Sequence, residues 1–229
     1  MTTYNKWQTP FYVGEVKDHE KVVDAFMPFI LKEKDYFHAP WTLANCLSSC
    51  HHELNAQMPW DIWWDAVSPN FAEYLNSLEP VADYEIKLLD SWCNIYKEGG
   101  FQEIHDHSAP KNNFSCSYFF EYPDDTVTGG ELILENTKFT DITATGLENK
   151  FKSFNQKCFI PNVKSGIIVI FPSWIKHFTS PNKSKKRRTT FSANVEIETR
   201  FTPEQMQKFP IQGSVGDFNF NYLGENDAN

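Results

Sequence analysis

Tyr84-Glu85-Ile86-Lys87-Leu88-Leu89-Asp90-Ser91-Trp92-Cys93-Asn94-Ile95-Tyr96 is the stretch on which the fold turns. Before it, apolar residues recur every three to four positions. From Tyr84 onward they alternate with period two. Successive side chains of a strand point to opposite faces, so this alternation marks a half-buried β-strand. Lys97-Glu98-Gly99-Gly100 ends it as a turn. Further strands are expected over 101–107, 113–122, 130–136, 157–160, 166–171, 177–179 and 188–198. Turn signals separate them at Pro123-Asp124-Asp125, Gly129-Gly130, Pro161-Asn162 and Pro181-Asn182. Strands at this spacing predict an antiparallel sandwich or barrel.

Upstream, Phe11–Val16 reads as a short strand. Residues 18–34 read as a helix with Asp18 as N-cap and Val22, Val23, Phe26, Phe29 and Ile30 at helical spacing. Pro40 and Pro59 bound a stretch with room for one helix over 43–54. A stronger helix runs from Asp61 to Ser77. The expected organisation is mainly β with N-terminal helices. A helical part, 1–80, packs on the outside of a β core, 81–200, followed by an extension, 201–229, all in one domain. No internal repeat or low-complexity segment is visible.

The chain has 229 residues, 41% of them hydrophobic and 22% charged, a balance that suits a globular core. Twenty Phe and seven Trp favour packed β-structure. A formal net charge of −9 repels phosphate backbones, so no nucleic-acid partner is expected. The basic run Lys183-Ser184-Lys185-Lys186-Arg187-Arg188 reads as a solvated hairpin tip or a docking patch for an acidic partner. Neither an apolar leader nor an 18-residue apolar run is seen, so no membrane association is expected. Five irregularly spaced cysteines read as reduced thiols of a cytoplasmic protein. Cys46, Cys50, His51 and His52 resemble half of a zinc site, but no second ligand pair follows at usable spacing.

His105-Asp106-His107 lies on an expected strand. Positions 105 and 107 therefore share a face, and two imidazoles one pleat repeat apart can chelate one ion. Asp106 points away. A third ligand must come from another strand. His177 is the candidate, following the buried run Gly166-Ile167-Ile168-Val169-Ile170-Phe171 and a turn at Pro172. Imidazole suits iron, copper, nickel and zinc, and a three-ligand facial site with open positions suits Fe(II) oxygen chemistry. The competing reading makes His105 and His107 ordinary surface histidines beside a turn.

Five segments in order carry a family resemblance: 100–110 around His105 and His107, Phe114–Phe120, Gly129–Leu134, Gly166–His177 and Arg188–Asn194. With Asp90–Tyr96 and the opening Pro10-Phe11-Tyr12-Val13-Gly14, the chain over roughly 8–197 resembles the 2-oxoglutarate/Fe(II)-dependent oxygenases. It is most like the oxygenases of phages and marine bacteria that are distant cousins of prolyl 4-hydroxylases. The resemblance implies a double-stranded β-helix, or jelly-roll, core. It also implies Fe(II) and 2-oxoglutarate as cofactors, with hydroxylation of a small-molecule or peptidyl substrate and release of succinate and CO2. The family binds iron through H-x-D/E…H. Here His107 stands where the carboxylate is usual, with Asp106 and Glu131 as alternative ligands. The resemblance places a basic residue about ten positions beyond the last histidine, against the distal carboxylate of 2-oxoglutarate. Arg188 is eleven beyond His177, and Thr190 shares its face. Arg187 is expected to face outward. Tyr96, Asn94, Ser115 and Asn194 are further candidates around the cosubstrate. Phe119 stands where relatives often have a tyrosine.

Two other functions compete. A cupin-type three-histidine iron dioxygenase would need no 2-oxoglutarate, but it leaves Arg188 and Thr190 without a role, and the acid expected after the histidine pair is missing. A non-catalytic scaffold predicts a missing ligand. Neither substrate nor oligomeric state is legible. Residues 137–156 read as a loop over the site, and Gly213–Gly216 with the acidic tail as a pocket cover or dimer arm.

Overall fold

The computed structural model describes residues 9–32, 37–38, 43–124, 129–136 and 156–208. In chain order the elements are β1 (Tyr12–Glu15), α1 (His19–Ile30), β2 (Phe37–His38), β3 (Leu47–Ser48), a 3-10 turn (Glu53–Gln57) and α2 (Trp60–Ser77). Then follow β4 (Asp83–Tyr96), β5 (Gln102–His105), β6 (Phe114–Glu121), β7 (Leu132–Glu135), β8 (Cys158–Phe159), β9 (Ile167–Pro172), β10 (His177–Thr179), β11 (Arg188–Arg200) and α3 (Pro203–Lys208). The loop expected over 137–156 lies, except for Gln156, outside the described residues, as does Gly213–Gly216.

The strands form two antiparallel sheets. The larger has the order β1-β9-β6-β11-β4-β3-β2 and the smaller β5-β10-β7-β8. This is the jelly-roll architecture, and every strand except the two-residue β2 and β3 falls on a segment expected from the sequence to be a strand. β9 shows how the layers are built. Ile168 and Ile170 face outward to the helices, while Ile167, Val169 and Phe171 face the smaller sheet with Phe119, Leu132 and Leu134. A strand covered on both faces reads as a continuous apolar run, as Ile167–Phe171 does.

The helices seal the outer face of the larger sheet. In α1 the buried residues Val22, Phe26 and Ile30 repeat every four positions and form one stripe. With Trp63, Val67 and Phe71 of α2 they pack on Cys93, Ile95, Tyr118 and Phe191. Phe26 sits 4.6 Å from Phe191 and 5.1 Å from Trp60, ring centre to ring centre. Asp18 occupies the N-cap position, but its side chain makes no capping hydrogen bond.

The helix expected over 43–54 does not form. Leu47 and Ser48 instead pair with Ile95 and Asn94 of β4. Ser49 N–H donates to the Cys93 carbonyl at 2.9 Å, and Cys93 N–H donates back to Ser49 Oγ at 2.9 Å. His51 then turns the chain with φ +61°. The edge of β4 offers unpaired donors and acceptors, and satisfying them outweighs a weak helical propensity.

Candidate metal and cosubstrate site

His105 ends β5 and His177 opens β10, and the antiparallel register sets them directly opposite one another. His107 lies two residues beyond β5, held there by its own N–H donating to the Ser173 carbonyl at 2.8 Å. Their ligand atoms all fall within 4.8 Å of one another. Ring centres are separated by 4.3 Å (105–177), 5.0 Å (107–177) and 5.1 Å (105–107). Each Nδ1 faces an oxygen acceptor: the Glu103 carbonyl at 2.8 Å for His105, Asn194 Oδ1 at 2.8 Å for His107, and the Ile175 carbonyl at 2.9 Å for His177. An oxygen acceptor requires the proton on Nδ1. Nε2 then carries the lone pair on each ring, that of His105 facing the Gln102 amide at 3.5 Å. Burial, then the nearby His105, lowers the pKa of His107 to about 4. Burial, then His105 and His107, pushes His177 well below the ordinary histidine range. These two imidazoles are neutral in the metal-free protein.

Arg188 opens β11 and is 1% exposed. Its guanidinium carbon lies 4.6 Å from the centre of the Tyr96 ring and 5.1 Å from that of Phe119. Nη1 reaches Thr190 Oγ1 at 3.5 Å, while the buried Nε has no hydrogen-bond partner. Among the described residues no carboxylate pairs with it. Burial lowers its pKa, opposed by the Tyr96 and Tyr122 phenols, but a guanidinium stays charged in a protein. Gly130, at φ +72°, lets the chain pass close by; a Cβ there would meet Arg188 Cδ at 3.1 Å. The neighbouring Arg187 faces the other way, as expected, and makes a two-pronged ion pair with Glu121 at 2.7 and 3.0 Å.

Residues 90–194 match the family model described as "Putative 2OG-Fe(II) oxygenase". Over that stretch the chain is similar to the 2-oxoglutarate/Fe(II)-dependent oxygenases. Fe(II) and 2-oxoglutarate are that family's cofactors. Solved structures share the fold at low identity. A prolyl-4-hydroxylase from Pseudomonas putida is 13% identical, with a TM-score of 0.54 over 82% of this chain and 93% of that one. EctD from S. alaskensis with bound Fe is 15% identical, at 0.52 over 82% and 73%. SnoN, a non-heme α-ketoglutarate-dependent epimerase from nogalamycin biosynthesis, is 11% identical, at 0.55 over 90% and 87%. No curated protein matches the chain significantly in sequence.

The residues of the site fit both groups. Three imidazole nitrogen donors on one face suit a borderline divalent ion. A dry, unpaired guanidinium suits a carboxylate, which accepts two parallel N–H bonds. Beside the histidines lies an inner cavity of ≈20 Å³, lined among others by Gln102 and Thr179, and by Tyr96 and Thr190, which also touch Arg188. A five-carbon diacid is larger than that. An outer cleft of ≈370 Å³ opens on the other side of His105 and His107.

The remaining candidates divide. Tyr96 and Thr190 line the inner cavity. Asn94 is buried beside Trp92; with its amide satisfied at both ends, it accepts from Trp92 Nε1 at 3.1 Å and donates to Ser48 Oγ at 2.8 Å. Ser115 donates to Asn194 Oδ1 at 2.9 Å and so backs His107, not Arg188. Asp106 is exposed and accepts from Ser108 N–H at 3.0 Å. Glu131 accepts from Gly129 N–H at 2.8 Å and from the Ser180 hydroxyl, stapling a turn. Neither acid joins the three-histidine group. Nor do Cys46, Cys50, His51 and His52 form a ligand group among the described residues. None of the five cysteines is in a disulfide.

Sequence reasoning missed Gln102. An odd spacing from His105 puts it on the opposite face of a regular strand. The pairing of β5 with β10 shifts register between His177 and Thr179, however, and this brings Gln102 inside too. There its Oε1 accepts from the Tyr96 hydroxyl at 2.7 Å, and its Nε2 lies 3.5 Å from His105 Nε2.

Proposed function

We propose that this protein is a 2-oxoglutarate-dependent oxygenase of the hydroxylase type, in which His105, His107 and His177 hold Fe(II) through Nε2 and Arg188 holds the distal carboxylate of 2-oxoglutarate. The observation that carries this reading is two unmet demands, one on the wall of the inner cavity and one just behind its Tyr96 and Thr190 wall. Three imidazoles have every Nδ1 engaged by an oxygen acceptor, which leaves Nε2 as the ligand atom of each, and a buried cation lacks its anion. When bound, the iron and the 2-oxo acid supply the oxidising chemistry: O2 is consumed, 2-oxoglutarate becomes succinate and CO2, and one oxygen atom enters the substrate C–H bond.

The chain's own residues orient and exclude. Glu103 and Ile175 carbonyls and Asn194 fix the tautomer and direction of each ring. Thr190 adds a hydroxyl donor beside Arg188, and Tyr96 and Phe119 clamp the guanidinium between two rings. Asn94 and Ser115 act one step back, steadying Trp92 and Asn194. Substrate, a small molecule or a peptidyl group, enters by the outer cleft, where His105 and His107 form one wall. Five cysteines outside any disulfide suit a reducing cytoplasm, and the acidic surface disfavours nucleic acid. No described helix is long and apolar enough to cross a membrane.

The test is anaerobic loading with Fe(II) followed by O2, with and without 2-oxoglutarate. Succinate formed only when both are present supports the reading. The all-histidine donor set and the small inner cavity favour a second reading, a three-histidine iron dioxygenase that needs no 2-oxo acid. Stoichiometric iron with no 2-oxoglutarate binding would select it.

A further inference from the structure

We infer that Glu103 is the anchor for a positively charged group of the substrate, so the substrate class is an ammonium or guanidinium compound with an apolar body. This rests on the oxygenase reading only for what happens to the substrate, not for how it is held. Glu103 lines the ≈370 Å³ outer cleft together with Trp92, His105, His107 and Ala109. It is the one carboxylate among the described residues of that wall, and no described lysine or arginine lines it. Its Oε2 is fully buried and has no hydrogen-bond partner. A buried carboxylate oxygen left without a donor is costly, and a ligand cation removes that cost.

The rest of the wall fits such a ligand. Trp92 is 9% exposed, and its indole N–H is committed to Asn94, so it offers the cleft a ring and not a donor. An aromatic ring beside a carboxylate favours a cation through both charge and ring quadrupole. Ala109 and Trp92 leave room for apolar substance between the charge and the histidines. Glu103 stands two residues before His105 on the same strand, about 7 Å along it. The charge of the substrate therefore sits only a few bonds from the carbon presented to the metal.

Two matched pairs of probes test this. Nα-acetyl-lysine methylamide is compared with its Nε-acetylated counterpart, and Nα-acetyl-arginine methylamide with the citrulline equivalent. Affinity is measured by calorimetry on the metal-free protein and on protein loaded with Co(II) and 2-oxoglutarate. At least one charged member is expected to bind about tenfold or more tightly than its neutral partner. Glu103→Gln should erase that difference. Glu103→Lys should reverse it in favour of the Nε-succinylated lysine probe, a gain that a misfolded variant does not show. Equal binding within both pairs, binding by none of the probes, or a preference that survives Glu103→Gln overturns the inference. The two readings fail separately. Cation preference without any succinate would refute the oxygenase chemistry and leave Glu103 in place. Succinate without cation preference would do the opposite.

Discussion

His177 and His105 face each other across the β5–β10 pair, the first residue of one strand against the last of the other, with ring centres 4.3 Å apart. An antiparallel pair puts opposed side chains on the same face at close range. Two of the proposed ligands are thus brought together by register alone. His107 completes the set from beyond the strand end, tied to β11 through Asn194.

Replacing any one of His105, His107 or His177 by alanine is expected to lower metal affinity by more than about 100-fold, the upper range seen for losing a partner one shell out. Asp106→Ala should leave it unchanged, since Asp106 is exposed and bonded to Ser108 N–H. Metal content after dialysis against a weak chelator checks both. Metal retained in His107→Ala and lost in Asp106→Ala would reverse the ligand assignment.

Asn194→Ala removes the acceptor that fixes His107 and the partner of Ser115. Metal affinity should fall by about 10- to 100-fold, less than for a ligand itself. Titration with Co(II), followed by its visible bands, measures the loss. An unchanged affinity would mean that packing alone holds the His107 ring.

Arg188→Ala should weaken 2-oxoglutarate by about 2–5 kcal/mol, as for truncating one side of a buried charge pair. Arg188→Lys should also weaken it, because one point charge replaces a two-pronged donor. Arg187→Ala should change cosubstrate affinity little, since its partner is Glu121 on the outer side. Equal losses at 187 and 188 would indicate a diffuse basic patch instead of a clamp.

The same burial predicts an opposite effect on stability. Without an anion, Arg188 is a dry charge between two rings, and an apolar side chain of similar length avoids that desolvation. Arg188→Met is expected to unfold at a temperature equal to or above that of the native protein without ligand, and to gain nothing from added 2-oxoglutarate. Thermal melts with and without 2-oxoglutarate decide it; a large destabilisation of the free variant would show that the guanidinium is already satisfied.

Phe26→Ala should destabilise the protein by about 3–5 kcal/mol. Its ring is fully buried between Trp60 and Phe191, at the seam of α1, α2 and the larger sheet. Urea unfolding measures it. A cost under about 1 kcal/mol would mean that the helices add little to the β core.

The alphabet of faces was legible without a structure. Period two from Tyr84 onward predicted the strands, and the stripe Val22, Phe26, Ile30 predicted α1. Alternation alone put His105 and His107 on one side and Asp106 on the other. The Arg188-x-Thr190 spacing likewise separated the buried Arg188 from the paired Arg187. These are local properties, because the direction of a side chain along a strand or helix follows from its own backbone. What the chain by itself left open is which strand lies beside which. Leu47 and Ser48 became a strand because β4 had a free edge, not because of their neighbours in sequence. The irregular β5–β10 register brought Gln102 inside, against the simple alternation. Asn194 and Ser115 moved from the cosubstrate to the back of His107, and Glu103 proved to hold a carboxylate oxygen dry and unpartnered at the cleft wall. Pairing and desolvation are set by contacts between residues tens of positions apart. No short window of sequence carries them, and only the closed tertiary structure decides them.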